Sequence, residues 1–350
     1  MLELGLGGRL TIHGVASAVC FVAARYLVKE MQHALGSLGQ PACAGVSGLQ
    51  EVVAQGARSV AACIVSYNPG PEVRLTLCSV LPQVSKVFVI DNASDRESEV
   101  TLTGLCAEFG IALIANKDNI GVAGAYNQAA SMAMSQGYEW ILLMDQDAVA
   151  PVGLVQQLMR GVDRWGGTRL PAVLCPLSLE SDPSGHQSAV PDADVAVDCC
   201  INAGSIVRLA AWEAVGGYDE DFFVDYVDLD FCFNCRQHGW EVVQVGGTVI
   251  MHSSGSPTRH RFLWKRPMTS NHSALRRYYI TRNRILFYRK YWRFDTRWVL
   301  CNGCNAIKEV VLIVLFETNR REKLNAIGMG VVDGCRGITG RTDRIHFVCR

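Results

Sequence analysis

Four short apolar runs between residues 60 and 144 constrain this chain more than any other feature. Val60-Ala-Ala-Cys-Ile-Val-Ser66, Lys86-Val-Phe-Val-Ile90, residues 111–115 and residues 139–144 are too short for helices. They are also too uniformly apolar for strands with one wet face, and so read as strands buried on both faces. Helix-like stretches over 71–81, 97–109 and 122–135 separate them. Strands alternating with helices at this spacing predict an α/β fold with a Rossmann-like, mostly parallel sheet flanked by helices. Ligands of such sheets bind outside the carboxyl ends of the strands. Polar residues collect there: Ser66-Tyr67-Asn68, Asp91-Asn92, Asn116 to Asn119 and Asp145-Gln146-Asp147.

The later half is less regular. Helices are expected over 151–162, 210–215 and 228–238, strands over 171–177 and 241–251, a polar loop over 181–194 and extended chain over 196–207. The pattern from 272 onward is helical. Residues 1–58 carry no chemical motif, with a helix expected over 11–35 and a linker over 36–48. Three parts follow: an N-terminal extension (1–58), the α/β domain (59–258) and a basic, aromatic-rich helical region (259–350).

Charge sharpens that division. The whole chain carries 33 basic and 33 acidic residues, but residues 259–350 hold 20 basic and 6 acidic ones. An acidic body suits cations, and a basic end suits anionic lipid, phosphate or nucleic acid. No nucleic-acid-binding motif accompanies the basic residues, so a nucleic-acid partner is not expected. Phe262, Trp264, Tyr278, Tyr279, Phe287, Tyr288, Tyr291, Trp292, Phe294 and Trp298 lie among the arginines, beside the apolar run Val310 to Phe316. That combination suits helices at a membrane interface, and equally helices packed on the α/β domain. No uninterrupted apolar stretch reaches spanning length, so no spanning helix is expected. With 49% hydrophobic residues the chain is no disordered polymer. Its 14 cysteines include several inside apolar runs, which points to a reducing, cytoplasmic setting. The pairs Cys232/Cys235 and Cys301/Cys304 read as free cysteines.

Several clusters carry chemistry. Asp145 and Asp147 follow an apolar strand; turns also favour aspartate, but carboxylates at a strand end can share Mg²⁺ or Mn²⁺ with a diphosphate. Asp225, Asp228 and Asp230 sit among aromatic and aliphatic residues. Such carboxylates serve as helix caps or, when desolvated, as a general base. His252 follows a strand and is either structural or a further metal ligand. Asn119-Ile-Gly121-Val-Ala-Gly124 opens a helix with small residues, where close backbone approach and an anion are both favoured. Its spacing is not that of a dinucleotide fingerprint.

Taken in order, Val65-Ser-Tyr-Asn-Pro69, Asp91-Asn-Ala-Ser-Asp95, Asn119 to Asn127, Asp145-Gln-Asp147, Asn202-Ala-Gly-Ser205, Gly217 to Phe223, Asp228-Leu-Asp230 and His252 resemble an inverting family-2 glycosyltransferase of the GT-A fold. The nearest subgroup is that of rhamnosyltransferases using dTDP-L-rhamnose, which Arg277 to Asn283 and Gly330 to Gly334 also resemble. The resemblance covers residues 60–340. It implies that Tyr67, Asn68 and Pro69 line the nucleobase pocket, with Asp91 on the base edge and Asn92 and Ser94 nearby. Asn119 and Gly121 would form the next wall, with Gln146 also on the donor side. Asp145 would approach the ribose or the metal, and Asp147 and His252 would ligate the metal. Asn202, Gly204, Ser205, Asp230 and Arg282 would face the sugar and acceptor, and Asp228 would be the base. The implied acceptor is a glycan or polyprenyl-linked glycan, met by peripheral contact with the inner face of the cytoplasmic membrane.

Two positions depart from the family pattern. Asn234 stands where an arginine is common, with Arg236 the nearest substitute, and Val227 precedes the expected base. A transferase with another nucleotide sugar, and a nonenzymatic membrane-associated protein keeping the fold, therefore stand as alternatives.

Overall fold

The computed structural model describes residues 59–180, 190–252, 257–261 and 267–342, without the side chains of Glu180 and His252. The N-terminal extension 1–58, residues 181–189 of the expected polar loop, Phe262 and Trp264 lie outside the described residues. Strands β1 (Val60–Ser66), β2 (Lys86–Asp91), β3 (Ala112–Ala115) and β4 (Trp140–Asp145) alternate with helices α1 (Val73–Val80), α2 (Arg96–Phe109) and α3 (Gly121–Ser135). Helix α4 (Leu154–Arg164) follows, then β5 (Pro171–Glu180), β6 (Val195–Ala196), β7 (Ser205–Arg208), α5 (Leu209–Ala214), α6 (Val227–Gln237) and β8 (Glu241–His252). The eight strands form one sheet in the order β3-β2-β1-β4-β7-β5-β8-β6.

The first four strands pair in parallel, whereas β7 runs antiparallel between β4 and β5. The sheet is thus mixed rather than mostly parallel beyond β4. The expected extended run over 196–207 is divided: β6 is two residues long, and β7 begins only at Ser205. The positive φ of Gly204 (79°) precedes β7, and a Cβ there would meet Ile250 Cδ1 at 2.5 Å.

Alternation along each strand builds two cores. Ala61, Cys63, Phe88, Ile90, Ile141 and Leu143 face α3, α6 and a later helix. Val60, Ala62, Ile64, Val87, Val89 and Leu142 face α1, α2 and α4. Both faces being covered explains why these strands carry no polar alternation. Register then levels the strand ends: Ser66 pairs with Asp91, Asp91 with Ala115, and Val65 with Asp145.

After β8 the chain forms a short hairpin, β9 (Thr258–Arg259) with β10 (Met268–Thr269), then three helices. These are α7 (Ala274–Tyr291), α8 (Thr296–Phe316) and α9 (Arg320–Arg336). Helices α7 and α9 approach closely at two glycines. A Cβ on Gly330 would lie 2.7 Å from the Tyr278 carbonyl oxygen, and one on Gly334 2.8 Å from that of Arg282. Between them Asp333 accepts from the Tyr278 hydroxyl at 2.8 Å. The Gly330-Val-Val-Asp-Gly334 motif is therefore a helix-packing device.

This layer differs from its sequence reading. Tyr278, Tyr279, Phe287 and Tyr291 are buried, as are Arg277 and Arg282, so much of the aromatic and basic character points inward. Helix α8 instead spans 21 residues and contains an 18-residue stretch of mean hydropathy 1.8, of which 11% is buried, so by length and composition it is long and apolar enough to cross a membrane. Polar residues such as Asn302, Asn305, Lys308 and Glu309 divide its apolar positions into short runs, which is why no run of spanning length stands out in the sequence.

Candidate active site

The carboxyl edge of β1, β2 and β4 is tied together by its own side chains. Tyr67 N donates to Gln146 Oε1 at 2.8 Å, Gln146 Nε2 donates to Tyr67 O at 3.3 Å, and the Thr76 hydroxyl donates to Gln146 O at 2.8 Å. Gln146 is therefore the cross-link between the β1 and β4 ends. Asn68 takes a left-handed backbone (φ 45°), its N donates to Ser94 Oγ at 2.8 Å, and its Oδ1 accepts from Asp95 N at 2.8 Å. Asp91 is buried and accepts from Ser94 N at 3.1 Å and from the Ser94 hydroxyl. Tyr67 stays 50% exposed, its ring free to cover a flat ligand. The edge brings Tyr67, Asn68, Asp91, Ser94, Asp145 and Gln146 together.

The next wall is closed by protein. Asn92 Nδ2 donates to Gly121 O at 2.9 Å, Gly121 N donates to Asn119 Oδ1 at 3.0 Å, and Val122 N donates to Phe223 O at 2.7 Å. The first two amides of α3 are thus occupied by Asn119 and Phe223. Gly121 has φ +78°, and a Cβ there would lie 2.5 Å from Phe223 O, so close backbone approach is what the glycine serves.

Phe223 belongs to a strained loop that leads into α6. Phe223, Asp225 and Tyr226 all have positive φ (61°, 59° and 69°). Each such non-glycine residue costs about 1–3 kcal/mol, so surrounding contacts must impose the conformation. Tyr226 is the N-cap of α6, and Asp228 lies in its first turn. Burial, reinforced by the charges of Asp225 and Asp145, pushes the Asp228 carboxyl up to about 7. Asp228 Oδ1 accepts from Leu229 N at 2.9 Å. The Tyr126 hydroxyl donates to Asp145 Oδ1 at 3.4 Å, and burial, reinforced by the charge of Asp145, holds its pKa well above the usual range. Tyr218 packs on Tyr126 at 5.4 Å and donates its hydroxyl to Asn202 Oδ1 at 3.3 Å.

Asp230 faces elsewhere. Two helical residues apart is a turn of about 200°, so it points away from Asp228. It is buried and paired with Lys290 of α7 at 2.9 Å. Gly204 and Ser205 are buried, and the Ser205 hydroxyl donates to Ile201 O at 2.6 Å, leaving Asn202 as the half-buried member of that motif. Arg282 is fully buried, with its donors on the carbonyls of Gly340, Phe222 and Asp221. Asp230, Gly204, Ser205 and Arg282 therefore stand behind the site and not in it. Asn234 donates to Val215 O at 3.0 Å, and Arg236 pairs with Asp198 (2.9 Å) and Asp295 (3.4 Å), so Arg236 does not take the place of the absent arginine.

Among the described residues no group of three or more His, Cys, Asp or Glu side chains is gathered for a metal ion. Half-buried Asp145 and exposed Asp147 do present two carboxylates at one strand end. That donor set fits a Mg²⁺ or Mn²⁺ ion whose shell is completed by phosphate oxygens and water, and does not fit an all-protein cage. His252 ends β8, and its side chain is outside the described atoms. Sequence reasoning missed Tyr126 and Asn283, because buried polar groups inside helices carry no local signal.

Residues 61–166 match the sequence profile described as glycosyl transferase family 2. The dTDP-rhamnosyl transferase RfbF of Shigella flexneri is 26% identical over 306 residues, covering 81% of this chain and 97% of its own length. An N-acetylglucosaminyl-diphospho-decaprenol L-rhamnosyltransferase of Mycobacterium tuberculosis is 20% identical over 309 residues, covering 75% and 96%. The mannosyltransferase PcManGT of Pyrobaculum calidifontis, solved with GDP-Man and Mn²⁺, has a TM-score of 0.50 at 13% identity and covers 92% of this chain and 86% of its own. That last likeness is one of fold.

Proposed function

We propose that this nucleotide-sugar-dependent glycosyltransferase of family 2 and GT-A type moves L-rhamnose from dTDP-L-rhamnose to a glycan or polyprenyl-linked glycan, with inversion. The observation that carries the reading is the carboxyl edge of the sheet, where strand register and single side chains bring Tyr67, Asn68, Asp91, Ser94 and Asp145 together, with Asp228 in the first turn of α6 as the candidate base. The names of the two rhamnosyltransferase relatives support the choice of donor.

Tyr67, Asn68, Pro69, Asp91, Asn92 and Ser94 hold the nucleobase end, and Asn119 and Gly121 stand beside it. Asp228 takes the proton of the acceptor hydroxyl as its oxygen attacks the anomeric carbon. The bond from that carbon to the diphosphate breaks on the opposite face, and dTDP leaves. One displacement inverts the centre and needs no covalent sugar–protein intermediate. Asp145 and Asp147 would hold Mg²⁺ or Mn²⁺, with His252 as a further ligand, and the ion when bound neutralises charge on the departing diphosphate. Asn202 lies on the acceptor side.

The acceptor's setting follows from α8. Leu300, Ile307, Val311, Val314 and Leu315 are exposed along it, and Arg293, Arg297, Lys308 and Arg321 are exposed on or beside it. An apolar face with basic neighbours suits peripheral binding to the cytoplasmic face of an anionic membrane. The reading is tested by following dTDP release from dTDP-L-rhamnose in the wild type and in Asp228→Asn. General base catalysis contributes about 10²- to 10⁴-fold, and a loss of that order with dTDP binding intact is expected. Full turnover in Asp228→Asn refutes it.

A protein that binds nucleotide without turnover is the second reading. It is favoured by the engagement of Arg236 away from the site. Turnover that appears only in Asn234→Arg would select it.

A further inference from the structure

Helix α7 holds the loop before Asp228 with an unusual concentration of donors. Asn283 is fully buried, and its amide nitrogen lies 2.8, 2.7 and 2.8 Å from the carbonyl oxygens of Phe222, Val224 and Asp225. Its oxygen accepts from Arg282 Nε at 2.9 Å, which fixes the amide with its nitrogen toward the loop. A flipped amide would set an oxygen against three carbonyls and leave the Arg282 donor facing another donor. Arg276 Nε pairs with Asp225 Oδ1 at 3.1 Å on the exposed side, and Arg284 Nε donates to the Tyr226 hydroxyl at 2.7 Å. These contacts hold Asp225 and Tyr226 directly and grip Phe223 from both sides through Phe222 and Val224; Phe223, Asp225 and Tyr226 are the three residues of this loop with positive φ. Left alone, a chain of this sequence would relax toward negative φ at each of them. Relaxation would re-aim the start of α6, which carries Asp228 two residues after its N-cap. It would also move Phe223 O from the first turn of α3, where it accepts from Val122 N.

We propose that Asn283 is a positioning residue for the acceptor-activating step, fixing the strained 222–226 loop and through it the place of Asp228. The inference rests on Asp228 being the base. Asn283 touches neither donor nor acceptor in this account, and it acts only through the loop. Its effect on rate comes from geometry, because a displacement of about 1 Å at a reacting group can cost on the order of 100-fold.

The test is a double-mutant cycle on the full chain, read as dTDP release from dTDP-L-rhamnose together with the dissociation constant for dTDP. Asn283→Ala is expected to lower kcat by about tenfold or more while dTDP affinity holds within about twofold. In the Asp228→Asn background the same substitution is expected to add no further loss, because the group it positions is already gone. Equal losses in both backgrounds, or an unchanged kcat, would overturn the proposal. If Asn283→Ala does not fold, Arg276→Ala probes the same loop from solvent, with an expected kcat loss of a few fold that likewise vanishes in Asp228→Asn. An Arg276→Ala loss that persists there, or no loss at all, overturns it. Undiminished turnover in Asp228→Asn alone marks a separate failure, that of the base assignment.

Discussion

Along the edge of β1, β2 and β4, polar residues sit in loops at strand ends that the register holds level. They reach one another through single side chains such as Gln146 and Ser94. In the layer of α7, α8 and α9, residues of the same polar and basic types turn inward. Arg277 meets Glu317 at 3.0 Å, Lys323 meets the same carboxylate at 2.7 Å, and Arg282 spends its donors on carbonyls. The difference teaches that a motif is informative where backbone geometry assigns its direction. A strand end can point only one way, whereas a helix offers every direction.

The largest effect that would break this comparison is in the helical layer. Arg282→Ala leaves carbonyls of Asp221, Phe222 and Gly340 without their buried donor, at about 1–3 kcal/mol for each group left unsatisfied. A fall in thermal midpoint of roughly 10 °C is expected by calorimetry. A surface-like change of under 1 °C would mean that Arg282 faces solvent and belongs to the site after all.

A smaller effect, of opposite sign, is expected at Asp228. Burial raises its carboxyl to about 7, so the folded chain keeps this proton at a pH where the unfolded chain has lost it. Its contribution to stability is present in acid and is lost as pH rises through about 7. Asp228→Asn is therefore expected to raise the midpoint by a few degrees at pH 8, with the gain shrinking between pH 7 and pH 4. Wild-type kcat should fall on the acid side of about pH 7, where the base is protonated.

Gln146→Ala should be milder still, lowering stability by about 1 kcal/mol and donor affinity by several fold, as measured by titration calorimetry. At the smallest end, Val311→Asp on exposed α8 should change stability by no more than about 0.5 kcal/mol while abolishing sedimentation with anionic vesicles. Retained sedimentation would place the membrane contact elsewhere.

The parallel half of the fold was legible because four apolar runs, each covered on both faces, leave few alternatives. The edge residues were legible for the same reason. The division of 196–207 was not, since it depends on β7 inserting antiparallel between β4 and β5, a long-range pairing without local signature. The roles of Asp230 and Arg282 were hidden by helical phase. Asp228 and Asp230 are close in sequence but about 200° apart around the helix, and Asp230 is turned to Lys290. The run Val310 to Phe316 was legible, but the full length of α8 was not, because Asn302, Asn305, Lys308 and Glu309 interrupt its apolar positions.

The central claim is that the carboxyl edge binds a nucleotide sugar's diphosphate with a divalent cation. Thermal unfolding with dTDP, UDP, GDP or CDP, each with and without Mn²⁺, tests it most directly. A ligand at 100 times its dissociation constant adds about 2.7 kcal/mol, a shift of several degrees. The account predicts a Mn²⁺-dependent shift that is largest for dTDP. No shift with any nucleotide, in protein that unfolds cooperatively, would contradict it.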